Sequence, residues 1–143
     1  MSWLRKISGD ASSEQVLRHL IPQFVAVAQE EYDQWDQSDE EFGDPEVGFG
    51  GICHLIAEKI AGVVMENTGF DTTTINNEGM GEQHVWVVTR TPDGVFSIDI
   101  PPCVYETGGG YTWEKLPDVR FGGCDVLVEM LSPDPHDFDQ YER

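Results

Sequence analysis

The stretch from Val85 to Ile100 constrains the fold more than any other part of the chain. Val85-Trp86-Val87-Val88-Thr89-Arg90 has strand composition, Thr91-Pro92-Asp93-Gly94 is a turn, and Val95 to Ile100 is the returning strand. The turn has a mechanism: proline presets φ, and glycine accepts a positive φ. A four-residue loop from Thr91 to Gly94, closed by Arg90 opposite Val95, sets Trp86 opposite Asp99 and His84 opposite Pro101. Side chains alternate along a strand, and opposed residues share a face. One face is then Val85, Val87, Phe96, Ile98 and Ile100, apolar throughout. The other carries His84, Trp86, Val88, Ser97 and Asp99. His84 and Asp99 become diagonal neighbours, roughly 7 Å apart at the backbone. A register slip of one residue would turn Asp99 to the core face and remove the pairing.

Such a hairpin needs something to cover its apolar face. Ser13 to Trp35 reads as a helix capped by Ser12 or Ser13, with Val16, Leu17, Leu20, Ile21, Phe24, Val25, Val27 and Ala28 at helical spacing. Pro22 kinks that helix or starts a second one. The clearest helix runs from Ile52 to Asn67. Cys53, Ala57, Ile60 and Val64 fall on one stripe, and Asn67-Thr68-Gly69 supplies the C-cap. Phe70 to Ile75 reads as a strand, Asp125 to Leu131 as a last buried strand, and Glu30 to Asp44 as an acidic exposed segment. The expectation is an α+β fold with N-terminal helices packed on a small antiparallel β-sheet. Residues 1–132 form a single domain, and residues 133–143 form a mobile acidic tail.

The 143 residues suit one domain with a real core. Eight Lys and Arg stand against 27 Asp and Glu, a net charge of −19, which leaves no basic patch for direct contact with nucleic acid or an anionic membrane. No apolar run approaches the roughly 20 residues of a membrane span. There is no secretory h-region after Arg5 and Lys6, and the three cysteines have no disulfide-framework spacing. These features point to a cytoplasmic protein.

Cys53 opens the helix after Gly48-Phe49-Gly50-Gly51. Free N–H groups and positive potential at a helix start favour a thiolate and can stabilise an oxyanion. A nucleophile at a helix start, a base on one strand and a carboxylate on the next make an activated-nucleophile arrangement: Cys53, His84 and Asp99. Each residue alone has a plainer reading. Cys53 would be a small core hydrophobe, His84 a hydrogen-bonded structural histidine, Asp99 a cap on the Pro101-Pro102 turn, and Trp86 a core or groove residue.

Gly50-Gly51-Ile52-Cys53-His54-Leu55-Ile56-Ala57, His84-Val85-Trp86-Val87-Val88 and Ile98-Asp99 together resemble the papain-like superfamily, in particular its transglutaminase-like and related cysteine-hydrolase branches. The Cys, His, Asp order matches, as does the 15-residue step from His84 to Asp99. The resemblance covers about Gly48 to Pro102. It implies a papain-like core, Cys53 as nucleophile, His84 as general base and acid, and Asp99 as orienter of the imidazole. Ile52 and His54 replace the Asp and Ser that flank the cysteine in the peptidoglycan-cleaving branch. Asn67-Thr68-Gly69 lacks the Arg of transglutaminase-like domains, and the upstream Gln of papain is missing. Candidates for substrate binding or the oxyanion contact are Gly51, Trp86, Gln34 and Trp35, with Gln37 a further source.

The expected activity is cysteine-dependent acyl transfer on an amide or ester, as hydrolase, peptidase, deamidase or transglutaminase-like enzyme, with no cofactor. The acidic surface favours a basic protein or peptide as substrate. The alternative is an inactive papain-like binding module that recognises a basic partner or mimics the charge of nucleic acid. Cys53, His84, Cys103 and Cys124 match no compact zinc spacing, so no metal site is expected. Gly108-Gly109-Gly110 lacks the Lys and Ser/Thr of a phosphate loop.

Overall fold

A computed structural model describes residues 12–35, 52–76, 84–106 and 115–141. Among the described residues, three helices precede a four-stranded antiparallel sheet. The helices are α1 (Ser13–His19), α2 (Ile21–Gln34) and α3 (Cys53–Thr68). The strands are β1 (Asp71–Asn76), β2 (Val85–Thr91), β3 (Gly94–Asp99) and β4 (Leu127–Ser132), which lie side by side in chain order. The α+β expectation therefore holds at this level, with helices and sheet in one packed unit.

Ser12 starts α1 with a full capping box: its hydroxyl accepts from Gln15 N, and Gln15 Oε1 accepts from Ser12 N. The long N-terminal helix breaks at Leu20, and Pro22 falls in the first turn of α2, where its missing N–H costs nothing. Gly69 ends α3 in the left-handed region at φ 76°.

The apolar stripe of α3 (Ile56, Ala57, Ile60, Ala61 and Val64) packs on Val87, Phe96, Ile98, Ile100 and Val128 from the inner face of the sheet. Leu17, Leu20, Phe24 and Ala28 of the first two helices complete this core.

The hairpin register is as the sequence implies, with Arg90 opposite Val95 and Val88 opposite Ser97. Its loop is tighter than four residues. Thr91 pairs with Gly94, leaving only Pro92 and Asp93 between the strands. Gly94 sits at φ 139°, and a Cβ there would lie 2.2 Å from the Ser132 carbonyl oxygen, so no side chain fits. Asp93 Oδ2 accepts from Ser13 N at 2.7 Å and ties the turn to the start of α1. Hydrogen bonding from Ser13, first its side chain and then this backbone N–H, holds the Asp93 carboxyl below its usual range.

Three sequence expectations are corrected. The last strand starts at Leu127, after a 3-10 turn over Gly123–Asp125. It is an edge strand rather than a buried one: Val128 is buried while Leu127, Met130 and Leu131 are exposed. The stretch after residue 132 is not a loose tail over residues 133–141. Pro135–Gln140 forms a 3-10 helix, and its Phe138 is 1% exposed. Phe138 packs with Val88 and Val95 on the outer face of the hairpin, and Ile75, Trp86 and Tyr141 flank it. Val88 and Val95 are apolar side chains on the face away from α3, and Phe138 removes them from water. Residues 142 and 143 lie outside the described residues.

Among the described residues no helix is long and apolar enough to cross a membrane.

Candidate active site

Strand alternation alone places His84 and Asp99 on the outer face, whereas Cys53 belongs to a helix on the inner face. The sheet resolves this at its end. The β2–β3 ladder stops at Val87 and Ile98, so the expected Trp86–Asp99 pair is not formed. Beyond that point β2 stays with β1, through Ile75–Trp86 and Asn76–Val85. The end of β3 stays with β4, through Asp99–Leu127. The two central strands part company, and the parting exposes one layer to the other. Cys53, Ile56, Ala57 and Ile60 of α3 line one crevice with Val85, Trp86, Ile98, Asp99, Ile100 and Tyr105.

Cys53 is the first residue of α3 and is 9% exposed. The first hydrogen bond of the helix is Ile56 N to Ile52 O, and no side chain caps the N-terminus.

His84 stands one residue before β2. Its Nε2–H donates to both carboxylate oxygens of Asp99, at 2.8 and 2.9 Å. Both side chains are largely buried. Trp86 stacks on the imidazole with ring centres 5.8 Å apart and planes 25° from parallel. The other ring nitrogen, Nδ1, is buried and has no hydrogen-bond partner. The Cys53 thiol lies close enough to raise the pKa of the ring, yet no closed hydrogen bond joins it to Nδ1. Burial by itself lowers the pKa of His84. The hydrogen bond to Asp99, the adjacent Cys53 and the charges of both outweigh that, and the pKa rises from 6.5 to about 9. At neutral pH the ring is an imidazolium that bonds to a carboxylate on one side and adjoins a thiol on the other.

Two residues at this site are missed by sequence reasoning. Tyr105 is fully buried in the crevice, and its hydroxyl makes no hydrogen bond. Burial first, and then the charge of Cys53, push its pKa well above the usual value, so it remains a neutral O–H donor. Glu106 is 5% exposed with Oε2 unpartnered. Burial raises its pKa to about 7, and the charge of His84 opposes the rise. Both follow a 3-10 turn, Pro102–Val104, that folds the chain back past the end of β3. The two prolines after Asp99 are the only local signal of that return.

The other sequence candidates are scattered. Gln34 is exposed at the last turn of α2. Trp35 is buried against Tyr32 with its indole N–H unpartnered, but it does not line the crevice with Cys53. Its carbonyl oxygen accepts from Lys115 Nζ at 2.9 Å. Gly51 and Gln37, the run 48–51 and the glycines 108–110 lie outside the described residues. All three cysteines are free thiols: Cys53 is buried, while Cys103 and Cys124 are exposed.

No protein-family model, no curated protein and no solved structure matches this chain.

Proposed function

We propose that the chain is a thiol enzyme of the acyl-transfer class, with a papain-like core and Cys53, His84 and Asp99 as its catalytic set. The observation that carries this reading is the imidazole of His84. One nitrogen is fixed by Asp99, the other is buried without a partner, and the ring adjoins a thiol at an uncapped helix start. The order of helix then antiparallel sheet accords with such a core.

In the first half-reaction the Cys53 sulfur attacks the carbonyl carbon of an amide or ester. A C–S bond forms, the C–N or C–O bond breaks, and the leaving group takes the proton from His84. In the second, water or an amine gives a proton back to the imidazole as it attacks, and the C–S bond breaks. Asp99 holds the ring in line and stabilises its charge throughout. A net charge of −19 favours a substrate of basic character, such as a Lys- or Arg-rich protein segment. Free thiols fit a reducing, cytoplasmic setting.

The test is alkylation of Cys53 by iodoacetamide at pH 7, with Cys103 and Cys124 replaced by Ser. His84→Ala is expected to slow alkylation at least about tenfold, because a thiol without its imidazole partner is mostly protonated there. Equal rates in the two proteins would make the arrangement a coincidence of packing.

One observation favours a second reading. Among the described residues, the crevice at Cys53 has no room for a water-sized sphere. Under that reading the fold is a binding module whose acidic surface takes a basic partner, and Cys53 alkylation is slow and indifferent to His84.

A further inference from the structure

The two edges of the sheet are dressed differently. Among the described residues the strand order is β1-β2-β3-β4, so β1 and β4 each have a ladder partner on one side only. β1 is a protected edge. It carries Asp71, Thr72, Thr73, Thr74 and Asn76; Asp71 pairs with Arg90, and Ile75 packs against the Phe138 cluster. β4 is the reverse. Leu127, Met130 and Leu131 are 41%, 48% and 42% exposed, and Met65 is the one other large hydrophobic residue so exposed among the described residues. From Leu127 to Met130 the strand keeps regular register with Asp99 to Phe96, and the irregularity of the ladder falls beyond, between Val95 and Phe96. Proteins blunt an edge strand with charge, proline or a covering element, because an apolar edge invites another strand. Exposed apolar residues gathered along one edge mark a surface that another chain covers.

The surroundings of β4 select what covers it. Glu129 lies within the strand, Asp125 precedes it, and Asp134, Asp137 and Asp139 follow, with no Lys or Arg from Phe121 to Tyr141. Arg18 of α1 reaches the strand: its Nη2 donates to Val128 O at 3.0 Å while its Nε pairs with Glu14. One carbonyl of β4 thus already accepts from a cation outside the sheet. A second copy of the chain would bring the same carboxylates and a net charge of −19 against them, which opposes a β4–β4 dimer.

We propose that β4 is a docking edge for an extended basic segment of another protein, which adds as a fifth strand beside Leu127 to Met130. The backbone of the segment pairs with β4, its apolar side chains cover Leu127 and Met130, and its Lys or Arg side chains meet Glu129 and the carboxylates at either end of the strand. The inference rests on the basic partner expected under both readings of the function, and gives that partner a place and a mode. Leu127 is the ladder partner of Asp99, so a seated segment runs to the end of the sheet that holds the His84–Asp99 pair. Six residues make a short interface, and the interaction is weak and reversible.

The experiment titrates the full chain into a fluorescent peptide of about eight residues, lysine and valine in equal number, and follows anisotropy. Binding is expected, and Leu127→Lys/Met130→Lys and Glu129→Lys are each expected to weaken it about tenfold. Tm should hold in both, since all three positions are exposed; if the double variant unfolds early, Glu129→Lys decides alone. A peptide with proline in place of valine keeps its charge but lacks half the N–H donors, and is expected not to bind. Deuterium exchange at residues 127–132 should slow with the lysine–valine peptide and not with the proline one. Equal affinity of wild type and variants would overturn the place of binding while leaving a basic partner. Equal binding of the proline peptide would overturn strand addition and reveal diffuse charge attraction. Dimers in sedimentation that Leu127→Lys/Met130→Lys abolishes would make a second copy the occupant and overturn the inference. No binding by any peptide would overturn both the inference and the basic partner, while His84-dependent alkylation of Cys53 would still uphold the acyl-transfer reading.

Discussion

The two ends of the β2–β3 hairpin share one outer face and meet opposite fates. At the turn end the ladder is complete, from Val87–Ile98 down to Thr91–Gly94, and Val88 and Val95 are sealed beneath Phe138. At the far end the ladder stops, each strand follows its outer neighbour, and Asp99, bonded to His84, lines a closed crevice with Cys53 of the other layer. Closed pairing and an apolar lid make one end core. Parted strands and unpartnered polar atoms mark the other end, where the proposed chemistry would take place. Of the buried atoms without hydrogen bonds among the described residues, His84 Nδ1, Tyr105 Oη and Glu106 Oε2 fall at the open end, while Trp35 Nε1 lies apart from it. Native structures carry few such atoms, and a cluster of them marks a site where stability has been given up for another purpose.

The largest expected effect breaks the closed end alone. Phe138→Ala removes a side chain that is 1% exposed and reopens Val88 and Val95 to water, at a cost of about 3 kcal/mol in urea unfolding. Trp86 touches both ends, flanking the Phe138 cluster and stacking on the His84 ring, and the account expects this contact not to carry the loss across, so that the alkylation rate of Cys53 in the folded protein stays unchanged. A change in that rate would show that the ends are coupled and that the division is false.

A smaller effect sharpens the open end. The pKa of His84 rises on folding from 6.5 to about 9, so the folded state holds the proton more tightly than the unfolded chain. The stability from this preference is fully present below pH 6.5 and is lost as pH rises through about 9. Its size, allowing for solvent screening of a ring that is not wholly buried, is about 2 kcal/mol. Unfolding by urea at pH 6 and pH 9.5 should show wild type losing about that much more than His84→Gln. Equal losses would mean that the ring gains no proton affinity on folding.

How much of this is legible in the sequence follows from how local each signal is. The hairpin register can be read because the period of two and the Pro92-Asp93-Gly94 turn sit within a few residues of each other. The bounds of α3 can be read because its apolar stripe and Gly69 are equally local. Pro22 announces a discontinuity but not its outcome. Phe138 is hidden in an acidic run with Asp134, Asp137 and Asp139, and only the three-dimensional closeness of Val88 and Val95 gives it a purpose. The parting of β2 from β3 is invisible for a related reason. The alternation of side chains continues through His84 and Trp86 whether or not a partner strand is present. Sequence reasoning therefore extends the ladder to a Trp86–Asp99 pair, and finds His84 and Asp99 together on partly mistaken grounds. Tyr105 and Glu106 reach the site by a turn of the chain after Pro102, with no periodicity to mark them.

The central claim is that Cys53, His84 and Asp99 act on one another as a unit, and the most direct test is an NMR titration of the His84 imidazole. The structure predicts an inflection at about pH 9 in wild type, which moves down when Cys53→Ser removes the thiol and moves further down when Asp99→Ala removes the carboxylate. An inflection near 6.5 that neither substitution shifts would contradict the account.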